Sequence, residues 1–170
     1  MKDLSNKVAI ITGSSSGVGA ATARLFASLG CHVVVNYNAN SAGAEQVAKE
    51  CEELGVETVC FGGSVANDTD CVAMVKAAMD KWGRVDILVN NAGTTKFVDH
   101  NNLDGLDAED FQRIYGVNVI GCYQMTRAAR AAMEANDEGG AVVNIASTAA
   151  VTGIGSSIAY AASKGAMVTM

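Results

Sequence analysis

Five short, β-branched apolar runs alternate with helical patterns along the whole chain, which predicts a doubly wound α/β fold on a parallel sheet. The runs are apolar throughout instead of alternating, as strands buried on both faces require. The first run feeds a glycine-rich turn that opens directly into a helical pattern, so a helix N-terminus sits at the C-terminal end of a strand. No internal repeat is present, and 170 residues suit one domain, residues 1–170, with a real core.

Residues 8–12, VAIIT, read as the first strand. GSSSGVG follows at 13–19, then a helix with Leu25, Phe26 and Leu29 facing inward, ended by Gly30. The second strand is HVVVN at 32–36, the second helix covers 41–54 up to Gly55, and ETVCF at 57–61 is the third strand. After a turn at 62–65, a third helix spans 67–82, with Asn67 or Asp68 as its N-cap and Gly83 closing it. DILVN at 86–90 is the fourth strand, and the small residues Ala92 and Gly93 just beyond it permit close approach of a ligand. A polar loop at 94–106 borders a substrate pocket. A long helix then runs from Asp107 to about Ala135, interrupted by Gly116 and Gly121. Its interior holds Asn118, whose amide competes with the helical backbone. AVVNIA at 141–146 is the fifth strand and delivers Ser147; a loop at 148–157 leads into the helix that carries Tyr160 and Lys164.

Charge and composition remove several function classes. A formal charge of −6 and no basic run argue against nucleic acid or an anionic membrane as partner. The longest apolar runs fall far short of the ~20 residues of a membrane span, and the polar N-terminus leads into a run too short for a signal peptide. A cytoplasmic protein is the expectation. Five widely spaced cysteines without a C-x-x-C, and two histidines without ligand-spaced partners, point to a reducing compartment and to no metal site.

Two constellations carry chemistry. The strand, glycine turn and helix at 8–29 make an anion site, because unpaired backbone N–H groups and the helix dipole face the ligand. Tyr160 and Lys164 are one turn apart on one helix face. A free phenol titrates near pH ~10, and a neighbouring ammonium favours the phenolate, so such a pair can move a proton at neutral pH. At the end of the second strand stand Asn36, Tyr37 and Asn38, where a fold preferring NAD places an acid for the adenosine ribose. The missing carboxylate leans toward NADP(H) over NAD(H).

Thr12-Gly13-x-x-x-Gly17-x-Gly19, Asn90-Asn91-Ala92-Gly93, Asn118, Ser147 and Tyr160-x-x-x-Lys164 together resemble the short-chain dehydrogenase/reductase family, over essentially the whole chain. Among its members the chain is most similar to the 3-oxoacyl-(acyl carrier protein) reductase type. The resemblance implies a Rossmann sheet in the order 3-2-1-4-5 and hydride transfer between a nicotinamide cofactor and a small carbonyl or alcohol substrate. It implies Tyr160 as the proton-transfer group, with Lys164 favouring its phenolate and holding the nicotinamide ribose. Ser147 would orient the substrate oxygen, and Asn118 would hold a water linking Lys164 to solvent. Cofactor contacts fall to Gly13, Ser15, Ser16, Gly17, Val18, Gly19, Asn36, Tyr37, Asn38, Ser64, Val65, Asn90, Ala92, Gly93, Tyr160 and Lys164. A homo-oligomer, dimer or tetramer, is implied as well.

Three departures stand out. Ser64 replaces the Asp common at the adenine, and Ser16 replaces the basic residue of many NADP-preferring members. The chain also ends six residues after Lys164, where the family continues through further strands, so it reads as C-terminally incomplete. The expectation is weak cofactor binding, little turnover, and self-association through the open edge of the fifth strand or the long helices. The alternative is a dinucleotide-binding module or inactive fragment without turnover.

Overall fold

The computed structural model describes residues 3–170. Strands β1 (Val8–Ile11), β2 (His32–Tyr37), β3 (Thr58–Gly62), β4 (Ile87–Asn90) and β5 (Ala141–Asn144) form one parallel sheet. Its order is β3-β2-β1-β4-β5, the doubly wound Rossmann arrangement that the family resemblance implies. Side chains alternate across each strand, so the two faces are covered by different helices. Ala9, Ile11, Val33 and Val35 pack under α1 (Gly17–Ser28) and α2 (Ser41–Glu52). Val8, Ile10 and Val34 pack under α3 (Asp68–Trp82) and α5 (Gly121–Glu134). Asp86 ties β4 to β1 from below, accepting from the Val8 N–H at 2.9 Å and from Arg84.

The element ends follow the punctuation. Asn67 caps α3 through the Thr69 N–H, and Gly83 takes the left-handed conformation beyond its end, φ +69°. Asp107 and Asp110 form a reciprocal capping box at the start of α4 (Ala108–Tyr115).

Four expectations need correction. Leu25 is 49% exposed; α1 instead buries Ala20, Ala23 and Ala27, because small side chains let it lie close on the sheet. The long helix is three pieces: α4, a π turn over Gly116–Ile120 that contains Asn118, and α5. The π turn is the structural answer to an amide in a helix interior, since it re-aims the chain at that residue. The fifth strand ends at Asn144, and the loop after Ser147 folds into a short helix, α6 (Ala149–Thr152), before α7 (Ile158–Thr169).

Candidate active site

A cleft of about 540 Å³ opens at the C-terminal ends of β1, β2, β3 and β4. Its floor is the glycine turn, which is stitched into the sheet. Thr12 Oγ1 accepts from the N–H groups of Asn91 and Ala92 at 3.0 and 2.9 Å. Asn91 Nδ2 in turn donates to the carbonyls of Thr12 and Gly13 at 2.9 and 3.1 Å. The packing is tight enough that a Cβ on Gly19 would lie 2.5 Å from Asn91 Nδ2, and one on Gly13 2.9 Å from Ala92 Cα. Ser16, the N-cap of α1, makes no side-chain cap bond, so the first-turn N–H groups remain available at the cleft. Backbone donors, mostly neutral walls with one arginine, Arg113, and room for an extended ligand fit a dinucleotide.

The amide of Asn36 is already engaged within the protein. It is 2% exposed and faces inward: its Oδ1 accepts from the Gly13 N–H at 2.9 Å, and its Nδ2 donates to the Phe61 and Gly63 carbonyls at 3.2 and 3.0 Å. It braces three strand ends and has no donor free for a ribose. Tyr37 packs against Gly62 and the core, off the cleft lining. Asn36 still borders this part of the cleft, together with Asn38, Ala39 and Asn40, and no carboxylate does.

A second cleft, about 560 Å³, adjoins the first at Asn91, Gly93 and Thr94, and contains Ser147 and Tyr160. Ser157 caps α7 by accepting from the Tyr160 N–H at 3.3 Å. Lys164, one turn on, is 3% exposed, with Nζ 5.9 Å from the Tyr160 ring centroid. Nζ donates to the Ile145 carbonyl at 2.7 Å and lies 3.8 Å from the Met167 sulfur. Burial pulls the lysine below its ordinary range. Gly93 passes over this spot: a Cβ there would be 3.6 Å from Asn118 Oδ1 and 3.8 Å from Lys164 Nζ.

Asn118 is fully buried, and both ends of its amide are engaged. Oδ1 accepts from the Thr94 N–H at 2.8 Å, while Nδ2 donates to the Thr94 carbonyl at 3.0 Å and to Ser163 Oγ at 2.9 Å. Ser163 Oγ donates to the Tyr160 carbonyl at 2.7 Å. A continuous chain of bonds therefore runs from the loop after β4, through the π turn, to α7.

Gly13, Ser15, Ser16, Asn36, Asn38, Ser64, Val65, Ala92 and Gly93 all line the first cleft. Gly17, Val18 and Gly19 form the first turn of α1 beside it, with Val18 60% exposed. Asn90 lies beneath, buried, donating to Asn144 Oδ1 and Thr126 Oγ1. Sequence reasoning gives no role to Ser163 or Arg113, places Asn91 in its motif without a task, and reads Thr94 only as part of the loop bordering the pocket. Ser163 and Asn91 stand inside conspicuous motifs, whereas nothing local marks Arg113. All five cysteines are free, four of them buried; burial pushes the Cys31 thiol up to about 12 and those of Cys51 and Cys71 to about 11. Among the described residues no metal-ligand cluster forms, and no helix is long and apolar enough to cross a membrane.

The sequence pattern of the short chain dehydrogenase family matches residues 7–170. The chain belongs to that family. An uncharacterized oxidoreductase from Methylorubrum extorquens is 35% identical over 98% of this chain and 65% of its own length. A 3-oxoacyl-[acyl-carrier-protein] reductase from Synechocystis is 34% identical over 99% of this chain and 66% of its own. The chain thus spans just under two thirds of these curated relatives. Among solved structures, NAD+-bound xylitol dehydrogenase superposes with a TM-score of 0.90 at 28% identity, covering 99% of this chain and 63% of that one. A Burkholderia xenovorans structure described as a short-chain dehydrogenase/reductase reaches 0.93 at 45% identity, over 96% of this chain and 68% of that one.

Proposed function

We propose that this chain forms the cofactor-binding and catalytic part of an oxidoreductase that moves a hydride between NADP(H) and a neutral carbonyl/alcohol substrate. The observation that carries this reading is Lys164: a buried ammonium, bonded to one carbonyl, one helical turn from a tyrosine that lines the second cleft. An ammonium has three donors, so at least one remains for a ligand after Ile145 and the Met167 sulfur. The bound nicotinamide would supply or accept the hydride. Tyr160 would give a proton to, or take one from, the substrate oxygen, with Ser147 hydrogen-bonding that oxygen and fixing its position. Lys164 would favour the phenolate of Tyr160 and bind the nicotinamide ribose. Asn118 would act as a positioning residue through Ser163 and Thr94, and a water relay would have to use its backbone or the remaining Oδ1 lone pair.

The lean toward NADP(H) rests on a cleft with no carboxylate to repel a 2′-phosphate, and Asn38, on its wall, would meet that group. NADH remains the competing cofactor, since a 28%-identical neighbour was solved with NAD+. A cytoplasmic location and a homo-oligomer complete the proposal; an acyl-thioester substrate is consistent with the Synechocystis relative.

The test is Tyr160→Phe, which keeps the ring and removes the titrating oxygen. In a version of the protein with measurable turnover, kcat should fall by about 10³-fold or more while NADPH affinity stays within about threefold. Turnover within threefold of the parent would remove Tyr160 from the chemistry. Cofactor binding in a parent that never turns over would support the binding-module reading.

A further inference from the structure

Among the described residues lining the first cleft, Arg113 is the only charged side chain. A nicotinamide dinucleotide carries its pyrophosphate as a dianion, and the rest of this cleft offers it backbone and neutral groups alone. Arg113 comes from α4, one turn before Val117, which also lines the cleft. The neighbouring Gly116 lies beside Ala66, so this segment runs along the wall built by Ser64 and Val65.

The guanidinium is loosely held. It is 47% exposed, its Nη1 donates to Thr94 Oγ1 at 3.2 Å, and its Nη2 donates to Asp110 Oδ1 at 3.3 Å. Both contacts are longer than the 2.7–2.9 Å of a strong charge-assisted bond. Asp110 has a better partner: Lys96 Nζ donates to Oδ2 at 2.6 Å and is the main reason its carboxyl sits below the ordinary range. The same oxygen also accepts the Asp107 N–H at 3.4 Å. Removing Arg113 from Asp110 therefore leaves no orphaned carboxylate.

We propose that Arg113 is a cofactor-binding residue that leaves Asp110 to Lys96 and closes over the cleft to pair with the pyrophosphate of the dinucleotide. This rests on the dinucleotide reading and adds to it a mobile cation, on α4, acting together with the amides of the α1 N-terminus. A guanidinium suits the task because its planar fork can engage two phosphate oxygens at once. Asp110 is the resting partner that competes with the ligand.

The experiment titrates the parent, Arg113→Leu, Arg113→Lys and Asp110→Asn with NADPH by fluorescence, and displaces it with ADP and with adenosine. Arg113→Leu should weaken ADP and NADPH about tenfold, or about 1.4 kcal/mol, and leave adenosine within twofold. Arg113→Lys should fall between parent and Leu. Asp110→Asn should tighten ADP by roughly two- to threefold, because the competing carboxylate is gone. Raising salt should weaken ADP more steeply in the parent than in Arg113→Leu. Unchanged ADP affinity in Arg113→Leu, or equal losses for adenosine and ADP, overturns the pyrophosphate assignment. A parent that binds neither NADPH nor ADP overturns the dinucleotide reading, and the inference with it.

Discussion

At the centre of the sheet every residue of β1 is buried, whereas at its margin every residue of β5 is exposed. The glycine turn belongs to the centre and the Tyr160–Lys164 pair to the margin, so the two functional parts rest on different supports. Around the turn, Ser14, Asn36, Thr12 and Asn91 bond β1, β2, β3 and β4 together without any ligand. Beyond β5, α7 is positioned by few polar links: Asn118 to Ser163, Lys164 to the Ile145 carbonyl, and the Ser157 cap. A floor knit across four strands, beside a helix that packs on α4, α6 and the π turn but has fewer polar links to the sheet, should respond unequally to perturbation. Changes at the centre should cost stability, and changes at the margin should cost turnover or association.

The largest effect is expected at the centre. Asn36→Asp keeps an acceptor for the Gly13 N–H but deletes the amide that serves the Phe61 and Gly63 carbonyls. It also turns a carboxylate toward those oxygens. We expect a loss of about 2–3 kcal/mol, seen as a fall in Tm of roughly 5–10 °C, with no gain in NADH preference. Asn38→Asp, on the cleft wall, should leave Tm nearly unchanged and shift preference toward NADH. If Asn36→Asp melts with the parent and favours NADH, Asn36 does face the ribose and the buried brace is wrong.

A smaller effect, of opposite sign for fold and function, is expected at Lys164. Burial holds its folded value below the ordinary 10.5. Between that depressed value and 10.5 the unfolded chain keeps a proton that the folded chain has released. Stability therefore rises with pH through this window. Turnover should fall over the same window, as the ammonium beside Tyr160 is lost. Denaturant melts and kcat measured across alkaline pH would check both limbs. Lys164→Met should lose the stability slope while remaining folded. Parallel stability slopes in parent and variant would mean that Lys164 is not the titrating group.

The strands and the motifs between them are legible because they are local: a glycine turn after an apolar strand, and a tyrosine and lysine at helical spacing, declare themselves within a few residues, whereas the sheet order comes only with the family resemblance. The direction of Asn36 was not legible. Its partners, Gly13, Phe61 and Gly63, are brought together only when β1, β2 and β3 pair. The same is true of Asn118, whose bonds to Thr94 and Ser163 span 24 and 45 residues. Leu25 misled because hydrophobicity alone was used to orient α1. The closeness of helix and sheet, set by Gly19 and the alanines, rolled the small face inward. Arg113 could not be foreseen at all, since a basic residue on a helix is ordinarily a solvated one.

The smallest effect is expected at the edge of the sheet. β5 pairs with β4 on one side, and among the described residues nothing pairs with its other side. Val142 and Val143 are each 44% exposed, so this edge offers unpaired backbone groups together with apolar side chains. Such an edge is a template for pairing with a second copy. The 170-residue chain should therefore self-associate in sedimentation velocity. Val143→Lys should weaken that association by up to roughly tenfold while shifting stability by less than about 1 kcal/mol, because a charged edge resists strand pairing and little burial is lost. The competing surface lies on the helices after Asp107, where Ile120 and Tyr123 are 51% and 54% exposed. Ile120→Lys separates the two. If it disperses the protein and Val143→Lys does not, the copies meet through helices, and the exposed margin of the sheet is idle in association.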